Sequence, residues 1–201
     1  MNLTRTAAVA LTERLNRYTN KEGLALSKMT MGMEVFLINV SKIIIVYLLA
    51  GFLGLFWQAV VTHFAFALTK RYSFGAHALS SFVCTVVCCV VFVAIPWLVS
   101  DMGINNIGVL AIFAGVILAL YMYAPADTKA KPLIGAKSRA LLKKKAVVCG
   151  TVLMLAALIV PDNSIKLLLA LGAAFQCIAI LPITYKILRR SERNYEKYEQ
   201  A

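Results

Sequence analysis

Charge is scarce in this chain, and negative charge most of all. Only 15% of the 201 residues are charged, and 9 Asp and Glu stand against 21 Lys and Arg, a net charge of +12. A soluble domain carries about 25% charged and about 45–50% apolar residues. Here 61% are apolar, and mean hydropathy is +0.79. A soluble fold of this size leaves roughly 30% of its unfolded surface in water, too much to hide so apolar a composition. An ordinary soluble enzyme and a disordered regulator are thereby excluded. Histidine is nearly absent, with two residues. The five cysteines, Cys84, Cys88, Cys89, Cys149 and Cys177, lie in or beside apolar runs, with no C-x2-C pair and His partner of the zinc-site kind. No metal, cofactor or disulfide framework is expected. Residues 1–34 are polar and basic and lack an apolar h-region, so no cleavable leader is expected.

What is present is a series of apolar runs. The first, Val35 to Leu68, would be roughly 51 Å long as one helix, against a hydrocarbon core of about 30 Å. It is either one long tilted helix or two helices in a hairpin, with Gly51 and Gly54 at the break. Further runs cover Ser80 to Ser100, Ile104 to Tyr123, Ala146 to Val160 and Ile165 to Leu188. Pro96 and Pro182 are expected to kink the runs that hold them. The reading is an all-α, polytopic membrane bundle of about six membrane segments, with four full spans plus a hairpin as the alternative. Residues 1–34 form a cytoplasmic or interfacial region, weakly amphipathic over 11–18. Residues 35–190 form a single transmembrane domain, and 191–201 a charged tail.

Basic residues gather in the N-terminal region, in 69–79, in 124–145 and in the tail, whereas DMGIN (101–105) and PDNS (161–164) have none. The positive-inside rule then places both termini and the basic segments in the cytoplasm. It also makes the first run cross an even number of times. The positive charge reads first as topology and anionic-lipid contact, not as nucleic-acid binding.

The chemistry concentrates in KRYSFGAHALSSFVC, residues 70–84. A thiolate nucleophile needs a base to take its proton and local positive potential to lower its pKa. With Ser80 or Ser81 capping the following helix, Cys84 falls in the first turn, near the positive end of the dipole and its unpaired N–H groups. On one straight helix His77 and Cys84 would lie about 10.5 Å apart, too far for direct proton transfer. The pair works only if His77 lies on a loop, for which Gly75 and the serine cap argue. The alternative is a solvated interfacial His77 and a Cys84 that merely packs. Arg71 suits a substrate carboxylate or serves as an interfacial anchor. Asp127 and Glu34 are the carboxylates near cytoplasmic membrane boundaries, and His63 is most simply an interfacial histidine. Cys88, one turn from Cys84, reads as packing.

Arg71, Gly75-Ala76-His77-Ala78, Ser80-Ser81 and Cys84, together with YAPADTKAKP at 123–132, resemble the accessory gene regulator B (AgrB) family, membrane cysteine endopeptidases of Gram-positive quorum sensing. The resemblance implies that His77 and Cys84 are a catalytic dyad. It implies an AgrD-type propeptide as substrate, whose C-terminal tail is removed through a thioester on Cys84. Ring closure then gives a cyclic thiolactone or lactone signal. It also implies a homodimer in the cell membrane, with the active site at the cytoplasmic face. Arg71, Gly75, Ser80, Ser81, Lys129 and Lys131 are the candidate substrate contacts, the lysines suiting an acidic propeptide tail. A small transporter or exporter component, or a non-catalytic membrane partner, is the competing function. Few ionisable residues at mid-membrane argue against transport.

Overall fold

The computed structural model describes residues 3–75, 81–128, 132–191 and 194–199. These residues are mostly helical, and an isolated β-bridge joins Phe74 to Ala126. The chain divides into two compact units, residues 1–49 and 50–201.

In the first unit, α1 runs Leu3–Thr19 and α2 begins at Gly23 and ends at Phe52. Helix thus covers the stretch expected to be weakly amphipathic. It also begins the first apolar segment a dozen residues before Val35. The turn between α1 and α2 is fastened by Asn16, whose side chain accepts from Lys21 N at 2.8 Å and donates to Lys21 O at 2.9 Å.

The second unit holds α3 (Phe56–Ser73), α4 (Ser81–Leu98), α5 (Asn106–Tyr123), α6 (Ala136–Ile159), α7 (Asn163–Ile180), the short α8 (Pro182–Ile187) and the single turn α9 (Glu196–Glu199). The run Val35 to Leu68 is therefore two helices, broken where Gly54 takes φ 70°, a left-handed conformation that costs glycine little. The six expected segments are helical, the last of them split in two at Leu181. Four helices among the described residues, α2, α4, α5 and α7, are long and apolar enough to cross a membrane. α3 ends in Lys70 and Arg71, and α6 begins with ten residues that include Lys137, Arg139 and Lys143–Lys145. Those charges keep these two helices from standing with the other four. The protein is an all-α membrane bundle with an outer surface of exposed Val86, Leu110, Leu118, Val152 and Leu155.

The prolines act differently. Pro182 ends one helix and starts another: α7 stops at Ile180, Leu181 is extended, and Pro182 opens α8, where its missing N–H costs nothing. Pro96 leaves α4 continuous but preceded by a π turn, Val90–Ala94, in which Ile95 N–H reaches back five residues to Val90 O. Proline cannot donate to the carbonyl four residues back and crowds it, and the wide turn is one way a helix absorbs that defect. The turn buries Phe92 and Val93 and sets the Phe92 ring against His63 (4.6 Å) and Phe66 (5.2 Å).

The core is made by α3, α5, α6 and α7, around Ala65, Phe113, Val116, Leu120, Leu153 and Ala173. α3 presents a buried stripe of small residues, Ala59, Thr62, Ala65, Thr69 and Ser73, to Gly172 of α7. A Cβ on Gly172 would lie 2.3 Å from Thr62 O. Such close backbone approach is how helices associate where apolar burial cannot drive them together. Asn105 and Asp162 cap α5 and α7 by accepting backbone N–H groups. Their two short turns also meet, through Ile104 N to Asn163 O at 3.1 Å. The acidic turns thus share one end of these helices. The basic end of α3 and the segment after α5 meet at the other.

Candidate functional site

The two stretches that carry the family resemblance come together in space. Phe74 pairs with Ala126: Ala126 N donates to Ser73 O (2.9 Å) and Gly75 N donates to Ala126 O (3.1 Å). Ala126 belongs to YAPAD, which leaves α5 through a cis Ala124–Pro125 bond. The pairing is unusual because Phe74 itself has φ 58° and ψ −127°, a conformation bulky residues avoid. Gly75 follows at φ 118°, and a Cβ there would stand 3.0 Å from Ala179 O. Only glycine fits that joint without strain, which gives Gly75 a backbone role alongside the substrate contact expected of it.

Gln176 holds the joint. It is fully buried on α7, and its side-chain amide donates to Ser73 Oγ at 2.8 Å and to the Phe74 carbonyl. Ser73 Oγ in turn donates to Thr69 O at 2.8 Å. The Gln176 carbonyl oxygen has no hydrogen-bond partner. Its two N–H groups are committed to α3, so reversing the amide would set oxygen against the Phe74 carbonyl.

His77 and Ser80, and likewise Lys129 and Lys131, lie outside the described residues. Cys84 is the fourth residue of α4 and partly exposed, and Ser81 is exposed at the helix start. Thr85 Oγ1 donates to Ser81 O at 2.9 Å, so this first turn is formed. Cys88 and Cys89 are also partly exposed, and Cys149 and Cys177 are buried. None of the five forms a disulfide. Arg71 is exposed, with its guanidinium 5.8 Å from the Tyr72 ring.

Asp127 is buried, but its carboxylate is committed. One oxygen accepts from Asn194 N (3.1 Å) and Asn194 Nδ2 (3.4 Å), the other from Tyr195 N (2.9 Å). Its main-chain carbonyl takes the Tyr185 hydroxyl at 2.8 Å. Asp127 is therefore a clasp for the C-terminal tail. Beside it a cavity of about 630 Å³ is lined by Tyr123, Ala126, Asp127, Arg139, Lys143 and Tyr195, among others. Across that tail, Arg139 pairs with Glu199 (2.5 Å). Hydrogen bonds from Arg139, and then from the Gly135 backbone, hold the Glu199 carboxyl below the usual glutamate range.

A family model, Accessory gene regulator B, matches residues 6–180. The chain belongs to the AgrB family. An AgrB-like protein of Clostridium acetobutylicum is 43% identical over 94% of this chain and 90% of its own length. One from Listeria monocytogenes is 41% identical over 96% and 98%. The accessory gene regulator protein B of Staphylococcus haemolyticus is 33% identical over 85% and 90%. No solved structure matches. The chain is thus an AgrB-family membrane protein of the accessory gene regulator quorum-sensing system.

The residues that sequence reasoning missed are Gln176, Arg139, Asn194 and Glu199. Gln176 carried a signal: it is the lone amide in the apolar stretch LLLALGAAFQCIAI, and a polar side chain in such a stretch faces the bundle interior. The others carried none, because their partners lie about 60 residues away.

Proposed function

We propose that this AgrB-family chain is a membrane cysteine endopeptidase acting on an AgrD-type propeptide at the cytoplasmic face of a Gram-positive cell membrane. Cys84 is the nucleophile and His77 its base. The Cys84 thiolate attacks the carbonyl carbon of the scissile peptide bond, and the first-turn N–H groups of α4 suit the oxyanion. His77 returns its proton to the departing amine of the tail, leaving a thioester. An internal thiol or hydroxyl of the peptide then gives its proton to His77 and attacks that thioester, the Cys84 thiolate leaves, and the ring closes. Water would compete for the thioester, and the apolar surroundings of Phe82 and the outer helix faces limit it.

The observation that carries this reading is the Phe74–Ala126 pairing. It fixes the backbone two to three residues before His77, using both stretches by which the chain resembles the family. The test is intact mass spectrometry of wild type, Cys84→Ala and His77→Ala in liposomes with a candidate propeptide. Wild type should gain a thiol-sensitive adduct of the N-terminal fragment, release the tail and yield a cyclic product. Cys84→Ala should give no adduct and His77→Ala should form it slowly. Equal cleavage by wild type and Cys84→Ala would remove Cys84 as nucleophile.

A further inference from the structure

The Gly135 N–H and the Arg139 guanidinium, at the start of α6, converge on one carboxylate. Glu199 Oε1 accepts from Gly135 N (2.8 Å) and from Arg139 Nη1 (2.5 Å), and Oε2 accepts from Arg139 Nη2 (3.0 Å). This is the bidentate fork that matches guanidinium to carboxylate. The guanidinium has holds besides that carboxylate. Its Nη1 also donates to Leu133 O at 3.0 Å, and its face lies 3.8 Å from the Tyr195 ring. Arg139 is only 19% exposed. Gly135, at φ 97°, points its N–H at the same spot as the first turn of a 24-residue helix, whose dipole favours an anion there.

The backbone that carries the resident carboxylate has fewer holds than that of its neighbours. Asn194 and Tyr195 are clasped by buried Asp127. Glu199 sits one helical turn further on, with its backbone N–H on Tyr195 O (3.1 Å) and its side chain 33% exposed. Glu199 can therefore swing out while Tyr195 and the Arg139 stack stay in place. The cavity of about 630 Å³ beside the guanidinium has room for peptide. It is walled by Lys143 and by Ala126, the residue paired with Phe74. Lys144 and Lys145 follow on α6, so the surrounding field favours an anionic guest.

We propose that Gly135 and Arg139 form a carboxylate-binding site for an acidic peptide segment, held at rest by the chain's own Glu199 and vacated when the guest competes. As a substrate subsite it rests on the peptidase reading above; as a binding site it does not. A peptide anchored there would lie across the cavity toward Phe74–Gly75, the last described residues before His77.

The test uses full-length protein in phosphatidylcholine nanodiscs and a fluorescein-labelled tetraglutamate peptide, with tetraglutamine as control, followed by fluorescence anisotropy. Glu199→Gln should bind tetraglutamate at least about threefold more tightly than wild type, because a competing resident has been removed. Arg139→Gln/Glu199→Gln should lose that gain, and Arg139→Lys/Glu199→Gln should keep only part of it. Binding should weaken with salt and be absent for tetraglutamine. Glu199→Gln leaves the Asp127 clasp intact, so its arm stays readable even if the Arg139 variants fail to fold. Equal affinity of Glu199→Gln and wild type would overturn the proposal, as would a double variant that binds as tightly as Glu199→Gln. If these affinities behave as expected while wild type leaves the propeptide uncut, the carboxylate site stands and the peptidase reading falls. If the propeptide is processed and Glu199→Gln shows no gain, the reverse holds.

Discussion

Gln176 on α7 donates to the carbonyl of Phe74, a hundred residues earlier, where α3 ends. The same amide nitrogen donates to Ser73 Oγ. A fully buried glutamine thus sets the direction in which the chain leaves α3, just ahead of His77. Phe74 stays in its unfavourable conformation because Gln176 on one side and Ala126 on the other hold it there. Strain of this kind persists only when the surroundings over-determine it, and it gathers at functional sites.

Gln176→Leu should therefore lower the processing rate more than it lowers stability. It removes the amide that donates to the Phe74 carbonyl and to Ser73 Oγ, at about 1–3 kcal/mol, partly offset because the unpartnered Gln176 oxygen disappears too. We expect kcat for propeptide cleavage to fall at least about tenfold, the effect of about 1.4 kcal/mol on a barrier, with KM changed less. Thermal unfolding in detergent, run beside the kinetics, checks this. A lower Tm with unchanged kcat would reduce Gln176 to a packing residue.

The glycines give a graded stability prediction. Gly172→Ala pushes a methyl to 2.3 Å from Thr62 O and should force α3 and α7 apart. Gly75→Ala combines φ 118° with a 3.0 Å approach to Ala179 O. Gly115→Ala meets nothing within 4 Å. We expect Gly172→Ala to be the most destabilising, Gly75→Ala to cost roughly 1–3 kcal/mol through backbone strain, and Gly115→Ala to be neutral or slightly stabilising by helix propensity. Detergent-solubilised Tm values should rank in that order. A Gly75→Ala protein as stable as wild type would show that the Phe74–Gly75 joint relaxes easily.

Much of this arrangement is legible in the sequence, and the illegible part has a physical reason. The helices follow from apolar runs of bilayer length, and the breaks at Gly54 and Pro182 from residue types that permit or force a stop. Cys84 in a first turn follows from the serines before an apolar run. Hydropathy alone shows α6 only from 146, because Lys137, Arg139 and Lys143–Lys145 look like a loop on that scale, although lysine and arginine are good helix formers. In the sequence Asp127 is one of two carboxylates near cytoplasmic membrane boundaries, with nothing beside it to show a role. Its real partners, Asn194 and Tyr195, are distant in sequence, and no local pattern announces such a contact.

Asp127 offers a direct contrast between clasp and catalyst. Asp127→Asn keeps the shape but replaces an acceptor with a donor, so the N–H groups of Asn194 and Tyr195 cannot both be satisfied. Hydrogen bonds to a charged group are worth about 1.5–3 kcal/mol each, enough to free the tail. We expect trypsin to cut at Arg189 and Arg190 markedly faster in Asp127→Asn than in wild type. The pH profile of processing should keep the same limbs. A displaced limb with an unchanged digestion rate would mean that Asp127 serves the reaction and not the tail.

The Arg139–Glu199 contact should be pH-dependent in a defined direction. Glu199 titrates lower in the folded chain than an ordinary glutamate, first because of its hydrogen bond from Arg139 and then because of that from Gly135. A carboxyl with a lowered folded-state pKa stabilises the contact above its ordinary value and loses that contribution as pH falls through the lowered one. At neutral pH the arm is therefore docked, and mild acid within the ordinary glutamate range should leave it so. Below that range it should release. A spin label on Glu196→Cys, on the same helical turn as Glu199, in a background where the other cysteines are replaced, reads the arm directly. Wild type should show a restricted spectrum at neutral pH and a mobile one below the glutamate range, and Glu199→Gln should be mobile at both. High salt should shift the wild-type transition upward by screening the guanidinium. A wild-type spectrum that stays restricted through the whole acid range would place the hold on the tail elsewhere, on the Asp127 clasp alone.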